Sequence, residues 1–122
     1  MKSKELAELV RLRLRLAPGV DLGPGKADLL EGIRETGSIS AAGRRMRMSY
    51  KRAWQLVDEL NHLFDRPLVE ASKGGSRGGG ALLTARGRDV LARYRRMHAA
   101  CCAAIAADFS ALHKHRSSTA GR

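Results

Sequence analysis

The sequence predicts a mainly helical α+β domain: a winged helix-turn-helix with an N-terminal strand, a two-stranded wing and a long C-terminal helix. Three observations carry this. Two apolar stripes at helical spacing, each opened by a serine, follow one another across residues 38–64. A short strand, a glycine-rich loop and a return strand occupy residues 68–84. A single apolar seam then runs along residues 85–115. Residues 1–116 form one domain in this reading, and residues 117–122 a disordered tail.

Residues 1–7 read as a loose or helical start. Leu9-Val10-Arg11-Leu12-Arg13-Leu14-Arg15-Leu16 alternates apolar and basic residues, the period of a strand with one buried and one wet face. Its Arg11, Arg13, Arg15 row either touches phosphate or keeps an exposed strand soluble. Pro18-Gly19 ends the strand, and Gly23-Pro24-Gly25 makes a turn. Residues 26–36 form a helix with Leu29, Leu30 and Ile33 inward, closed by Gly37.

Ser38 caps the next, short helix, on which Ile39, Ala42 and Met46 share a face. A turn follows at Arg47-Met48, and Ser49 caps a second helix. There Ala53, Val57, Leu60 and Phe64 form the core stripe, with Lys51, Gln55 and Asp58 opposite and Arg52 and Glu59 beside them. Ala41, Ala42, Gly43 and Ala53 are small enough for the two helices to pack closely. Asp65-Arg66-Pro67 breaks the helix; strands at 68–70 and 81–83 flank the loop. That loop is no P-loop, because no Gly-Lys-Ser/Thr follows and no helix opens from it. Thr84 caps the last helix.

Charge indicates the partner. The 122 residues carry a formal net charge of +11, which favours a polyanion. No acid occurs between Glu35 and Asp58, while Arg44, Arg45, Arg47, Lys51 and Arg52 cluster around the turn. A solvated face mixes signs; phosphate neutralisation needs one sign. The expected partner is double-stranded DNA, with the first residues of the second helix in the major groove. Tyr50, Lys51, Arg52 and Gln55 are the candidate reading residues, with Tyr50 toward the core side, combining packing with a phosphate contact, and Trp54 a packing anchor before a base-contacting wedge. Ser38, Ser49, Arg44, Arg45, Arg47 and, from the wing, Lys73 and Arg77 position the duplex. Arg86 and Arg88 are weaker candidates.

No apolar run approaches the roughly 20 residues of a membrane span, and arginines interrupt any signal-peptide core, so a cytoplasmic protein with no membrane partner is expected. The adjacent Cys101 and Cys102 make no disulfide framework. Leu91, Tyr94, His98, Cys101, Ile105 and Leu112 give the last helix a seam at heptad-like spacing, fit for a second copy of the chain. No enzyme chemistry is expected: no carboxylate pair sits in a plausible cleft and no nucleophile has an adjacent base. No cofactor is expected. Two alternatives stand beside a sequence-specific regulator. One is a non-specific architectural DNA binder. The other is a metal- or thiol-sensing repressor using His98, Cys101 and Cys102, at i, i+3 and i+4 of one helix.

Residues 38–60 resemble the helix-turn-helix of LysR-type regulators. A closer resemblance, over about residues 8–115, is to the N-terminal DNA-binding domain of the molybdate-responsive ModE regulators. Gly37-Ser38-Ile39-Ser40, Ser49-Tyr50-Lys51, Ala53-Trp54, Glu59, Asn61, Leu68-Val69-Glu70, the Gly74–Gly80 wing, Leu83-Thr84 and Gly87 carry it. The resemblance implies a winged helix-turn-helix that dimerises partly through its last helix and binds an inverted-repeat operator. Full-length family members continue into an oxyanion-binding module for molybdate or tungstate. The chain stops where that module would begin, so no residue here inherits its ligand site. A link to molybdenum metabolism is implied by association, with a separate ligand-sensing protein as a further partner.

Overall fold

A computed structural model describes residues 1–72 and 80–121. The elements run α1 (Ser3–Leu9), β1 (Leu14–Ala17), β2 (Val20–Leu22), α2 (Pro24–Thr36), α3 (Ile39–Arg45), α4 (Tyr50–Leu63), β3 (Val69–Ser72), β4 (Gly80–Leu83) and α5 (Ala85–His115). Helices α2, α3 and α4 enclose the core, β3 and β4 form the wing, and α5 crosses behind them. Residues 73–79, which include the candidate contacts Lys73 and Arg77, lie outside the described residues.

The core follows from the stripes. Leu29, Leu30 and Ile33 of α2 and Leu60 of α4 are fully buried, and Leu91 of α5 nearly so. Ile39, Ala42, Val57, Leu68, Leu83 and Tyr94 complete one cluster with them, with Phe64 packed at its margin. Glycine sets two helix crossings. A Cβ on Gly32 would stand 2.9 Å from the Ala42 Cβ, and one on Gly43 would stand 2.8 Å from the Ala53 Cβ. Both distances are below normal carbon contact, so α2, α3 and α4 approach more closely than a side chain at Gly32 or Gly43 would allow.

The N-terminal region departs from the expected strand over residues 9–16. Helix α1 persists to Leu9, and only Leu14–Ala17 is β-structure, pairing antiparallel with β2 through Leu14–Leu22 and Arg15–Asp21. Residues 10–13 are instead held by α5. The Tyr94 hydroxyl donates to the Leu12 carbonyl at 2.6 Å, and His98 Nε2 lies 2.8 Å from the Val10 carbonyl. The alternation still shows in burial, with Leu12 and Leu14 half-buried and Arg11, Arg13 and Arg15 exposed. The turn expected at residues 23–25 is a helix start: Gly23 is the N-cap of α2 and Pro24 its first residue, where a missing N–H costs nothing.

Helix α5 is fixed to α2 by Arg95, whose guanidinium bonds Asp28 at 3.0 Å and Glu31 at 3.0 Å. The expected seam divides in consequence. Leu91 and Tyr94 turn into the protomer's own core, and Cys102, rather than Cys101, is the buried cysteine. Met97 and Leu112 are exposed, while Cys101 and Ile105 are half-buried. Beyond α5, Ala120 N donates to Ser117 O at 3.0 Å.

Candidate nucleic-acid interface

Three local devices shape the helix-turn-helix. Gly37 ends α2 in the left-handed conformation (φ 71°), and its N–H returns to the Ile33 carbonyl at 2.8 Å. Ser38 then caps α3 by accepting from Ala41 N at 3.1 Å. Ser49 caps α4 by accepting from Arg52 N at 3.0 Å. Between the helices Arg47 takes φ 57°, unusual for a residue with a Cβ, and Met48 N donates to Gly43 O at 3.0 Å. The turn is therefore closed by backbone hydrogen bonds, leaving the Arg47 side chain exposed. Both serine hydroxyl oxygens are engaged as acceptors by the helix backbone.

The basic cluster separates into tied and free cations. Arg45 is bonded to Glu35 at 2.8 Å, and Arg52 lies 3.7 Å from Glu59, which is also 3.9 Å from Lys26. Arg86 makes a two-pronged bond to Asp65 at 2.9 and 3.0 Å. The Arg86 hydrogen bond holds the Asp65 carboxyl below the usual carboxylate range. Arg13 and Arg15 share Asp21, at 3.5 and 2.9 Å, and the Arg15 hydrogen bond lowers that carboxyl likewise. Asp21 thus offsets part of the charge of that row within its own hairpin, and Arg11 pairs with no carboxylate among the described residues. Arg44, Arg47 and Lys51 pair with no carboxylate among the described residues, and all three are exposed. They mark the end of α3, the turn and the first turn of α4, a ridge of unneutralised charge.

Helix α4 buries Ala53, Leu56, Val57 and Leu60 and exposes Tyr50, Lys51, Arg52, Trp54 and Gln55. Two expectations are corrected here. Tyr50 does not lie toward the core: it is 65% exposed. Trp54 is no packing anchor, being 47% exposed. Their rings stand 6.0 Å apart, tilted by 58°. The i, i+4 spacing stacks them along one flank of α4, beside the core stripe rather than in it.

Asn61 joins the wing to α4. Its Oδ1 accepts from Leu68 N at 2.9 Å and Val69 N at 3.0 Å, and its Nδ2 donates to Val69 O at 3.1 Å. From the other side, Thr84 Oγ1 donates to Pro67 O at 2.7 Å and accepts from Gly87 N at 3.0 Å. A Cβ on Gly87 would collide with the Leu68 carbonyl oxygen. Ala81 N donates to Gly37 O at 2.9 Å, fastening β4 to the α2–α3 junction. In the sequence this pin showed only as an asparagine near a helix end, eight residues before β3, among the residues that carry the family resemblance.

Within a single chain His98, Cys101 and Cys102 form no three-residue ligand cluster. His98 is engaged with Val10 O and lies 3.6 Å from Cys102 Sγ, and the described residues contain no cluster of three His, Cys, Asp or Glu. No helix is long and apolar enough to cross a membrane.

The family model for bacterial regulatory helix-turn-helix proteins of the lysR family matches residues 27–88. The chain belongs to this family. The match spans α2, α3, α4, both wing strands and the start of α5, the elements that hold the free cations and the Asn61 pin. Among curated relatives, the chain is similar to the molybdenum-pterin-binding protein MopB of Rhodobacter capsulatus, 46% identical over 76 residues, 62% of this chain and 28% of the relative. The molybdenum transport protein ModE of Azotobacter vinelandii is 41% identical over 87 residues, 71% of this chain and 32% of the relative. The DNA-binding transcriptional dual regulator ModE of Escherichia coli K12 is 38% identical over 85 residues, 70% of this chain and 32% of the relative. The chain spans roughly a third of the length of these relatives.

Proposed function

We propose that this chain is a sequence-specific DNA-binding transcription regulator of the ModE kind, acting on genes of molybdenum metabolism as a homodimer on an inverted-repeat operator. The observation that carries the reading is the unneutralised ridge of Arg44, Arg47 and Lys51 on a serine-capped helix pair of the lysR family. Helix α4 enters the major groove with Lys51, Arg52 and Gln55 at the base edges. Arg44, Arg45 and Arg47, with Lys73 and Arg77 of the wing, contact phosphate. The exposed Met97 and Leu112 on α5 support pairing with a second copy, because α5 continues well past the core it packs on. The relatives' names support the molybdenum link. Sensing of the metal oxyanion falls to a ligand module or a separate protein.

Selection of bound sites from random duplex DNA at near-physiological salt, with the purified chain and no added ligand, tests this reading. A two-fold symmetric consensus supports it. Uniform recovery with a steep salt dependence overturns it in favour of a non-specific architectural binder.

A further inference from the structure

We infer that Tyr50 and Trp54 form an apolar reading surface that recognises thymine through its C5 methyl group. The inference rests on the proposed DNA-reading role of α4. Both rings are exposed, at 65% and 47%, on a helix whose other exposed residues are almost all polar or charged. Leaving two large aromatic faces in water forgoes apolar burial that a partner can recover. That partner is a duplex, because the end of α4 that carries the pair is cationic, with the acid Asp58 only one turn beyond Trp54. Lys51 lies between the two aromatics in sequence, Arg47 precedes them in the turn, and neither has a carboxylate partner among the described residues. A hydrophobic protein ligand gains nothing from that charge; DNA requires it.

Position on the helix narrows the contact further. Trp54 and Asn61 are seven residues apart, two turns of α4, and therefore share a flank. Asn61 is the residue that bonds the wing strand β3. The aromatic pair thus lies on the wing side of the reading helix, set apart from Lys51 and Gln55 on its outward face. Along the major groove every base offers hydrogen-bonding edges, and thymine alone adds an apolar methyl. Two tilted rings with one polar tip each suit that methyl better than any other base feature. Thymine recognition by this pair adds a base preference that the cations, which suit guanine or phosphate, do not supply.

The test replaces each thymine of a selected duplex in turn by deoxyuridine. This removes only the methyl and keeps every hydrogen-bonding group. Affinity is read by anisotropy of the labelled duplex for the unaltered chain, Trp54→Ala, Trp54→Phe and Tyr50→Ser. At one or two thymines per half-site the unaltered chain should bind about fourfold more weakly to the uracil duplex, the equivalent of one buried methyl-sized group. Trp54→Ala should bind both duplexes equally, and Trp54→Phe should retain most of the discrimination. The salt slope should stay the same in all three variants, because no charge is removed. Trp54 is the single tryptophan of the chain, so its emission should also change on adding the duplex. Equal affinity for thymine and uracil at every position overturns the inference while leaving DNA reading intact. Discrimination that survives in both Trp54→Ala and Tyr50→Ser overturns it too, by assigning the methyl to another residue. Failure to select any site overturns the inference together with the reading it rests on.

Discussion

Asn61→Ala should be the most damaging single change at the junction of reading helix and wing. The substitution removes three hydrogen bonds at once, leaving Leu68 N, Val69 N and Val69 O without their partner. Leu68 and Val69 are both buried. An unsatisfied buried backbone group costs about 1–3 kcal/mol. Asn61 itself is half-buried and borders an open groove of about 560 Å³ with Pro67, Val69 and Thr84, so water can reach part of the gap. That places the total near the lower end for three groups, at about 2–4 kcal/mol. Denaturant unfolding followed by far-UV circular dichroism measures this directly, and the melting temperature should fall by roughly 10 °C or more. Asn61→Asp is the informative companion. Its carboxylate still accepts from both N–H groups but faces the Val69 carbonyl without a proton to donate, so part of the loss should return. A loss below about 0.5 kcal/mol for Asn61→Ala, a size ordinary for surface changes, would refute the pin.

Lys51→Ala should weaken binding to a selected site by about 1–3 kcal/mol and relax the preference at one base pair, if Lys51 contacts a guanine edge. Arg44→Ala should weaken all sequences alike and reduce the salt slope by about one, as competition binding at several salt concentrations will read. Gly87→Ala should destabilise the chain by more than 1 kcal/mol in urea, since the new Cβ meets the Leu68 carbonyl on backbone that the Thr84 bonds hold in place. Asp65→Asn should lower the melting temperature at pH 7, by an amount that shrinks as pH falls below the ordinary carboxylate range. The folded-state pKa of Asp65 lies below its unfolded value, so its contribution is present above the ordinary carboxylate range and is lost as pH falls through the lowered pKa. A gap between Asp65→Asn and the unaltered chain that does not narrow as pH falls through the acid range would contradict this.

The helix-turn-helix was legible in the sequence because its determinants are local. Ser38 and Ser49 cap within three residues, and the burial of Ile39, Ala42, Ala53, Val57 and Leu60 follows helical spacing. The N-terminal strand was overextended because alternation reports two faces, not the identity of the partner. Residues 10–13 have the two faces but are held by side chains of Tyr94 and His98, some eighty residues away. Strand β2, only three residues long, exists through its pairing with β1 and has no signal of its own. The seam on α5 read as one continuous surface, yet its first half is consumed by the protomer's own core. Within the candidate interface, charge was visible but its neutralisation was not. Arg45 looks equivalent to Arg44 until the fold brings Glu35 of α2 beside it, whereas the Arg52–Glu59 pair follows from spacing along α4. Trp54 was misplaced because its angular position is a quarter-turn from the core stripe, where spacing cannot separate buried from exposed.

Replacing purines of a selected duplex one at a time by their 7-deaza analogues tests the placement of α4 most directly, because only the N7 acceptor on the major-groove edge is lost. Major-groove reading by Lys51, Arg52 and Gln55 predicts sharp losses of affinity at two clusters of positions, one per half-site and about one helical turn apart. Undiminished binding to every 7-deaza duplex, with losses confined to 3-deazaadenine on the minor-groove edge, would contradict it.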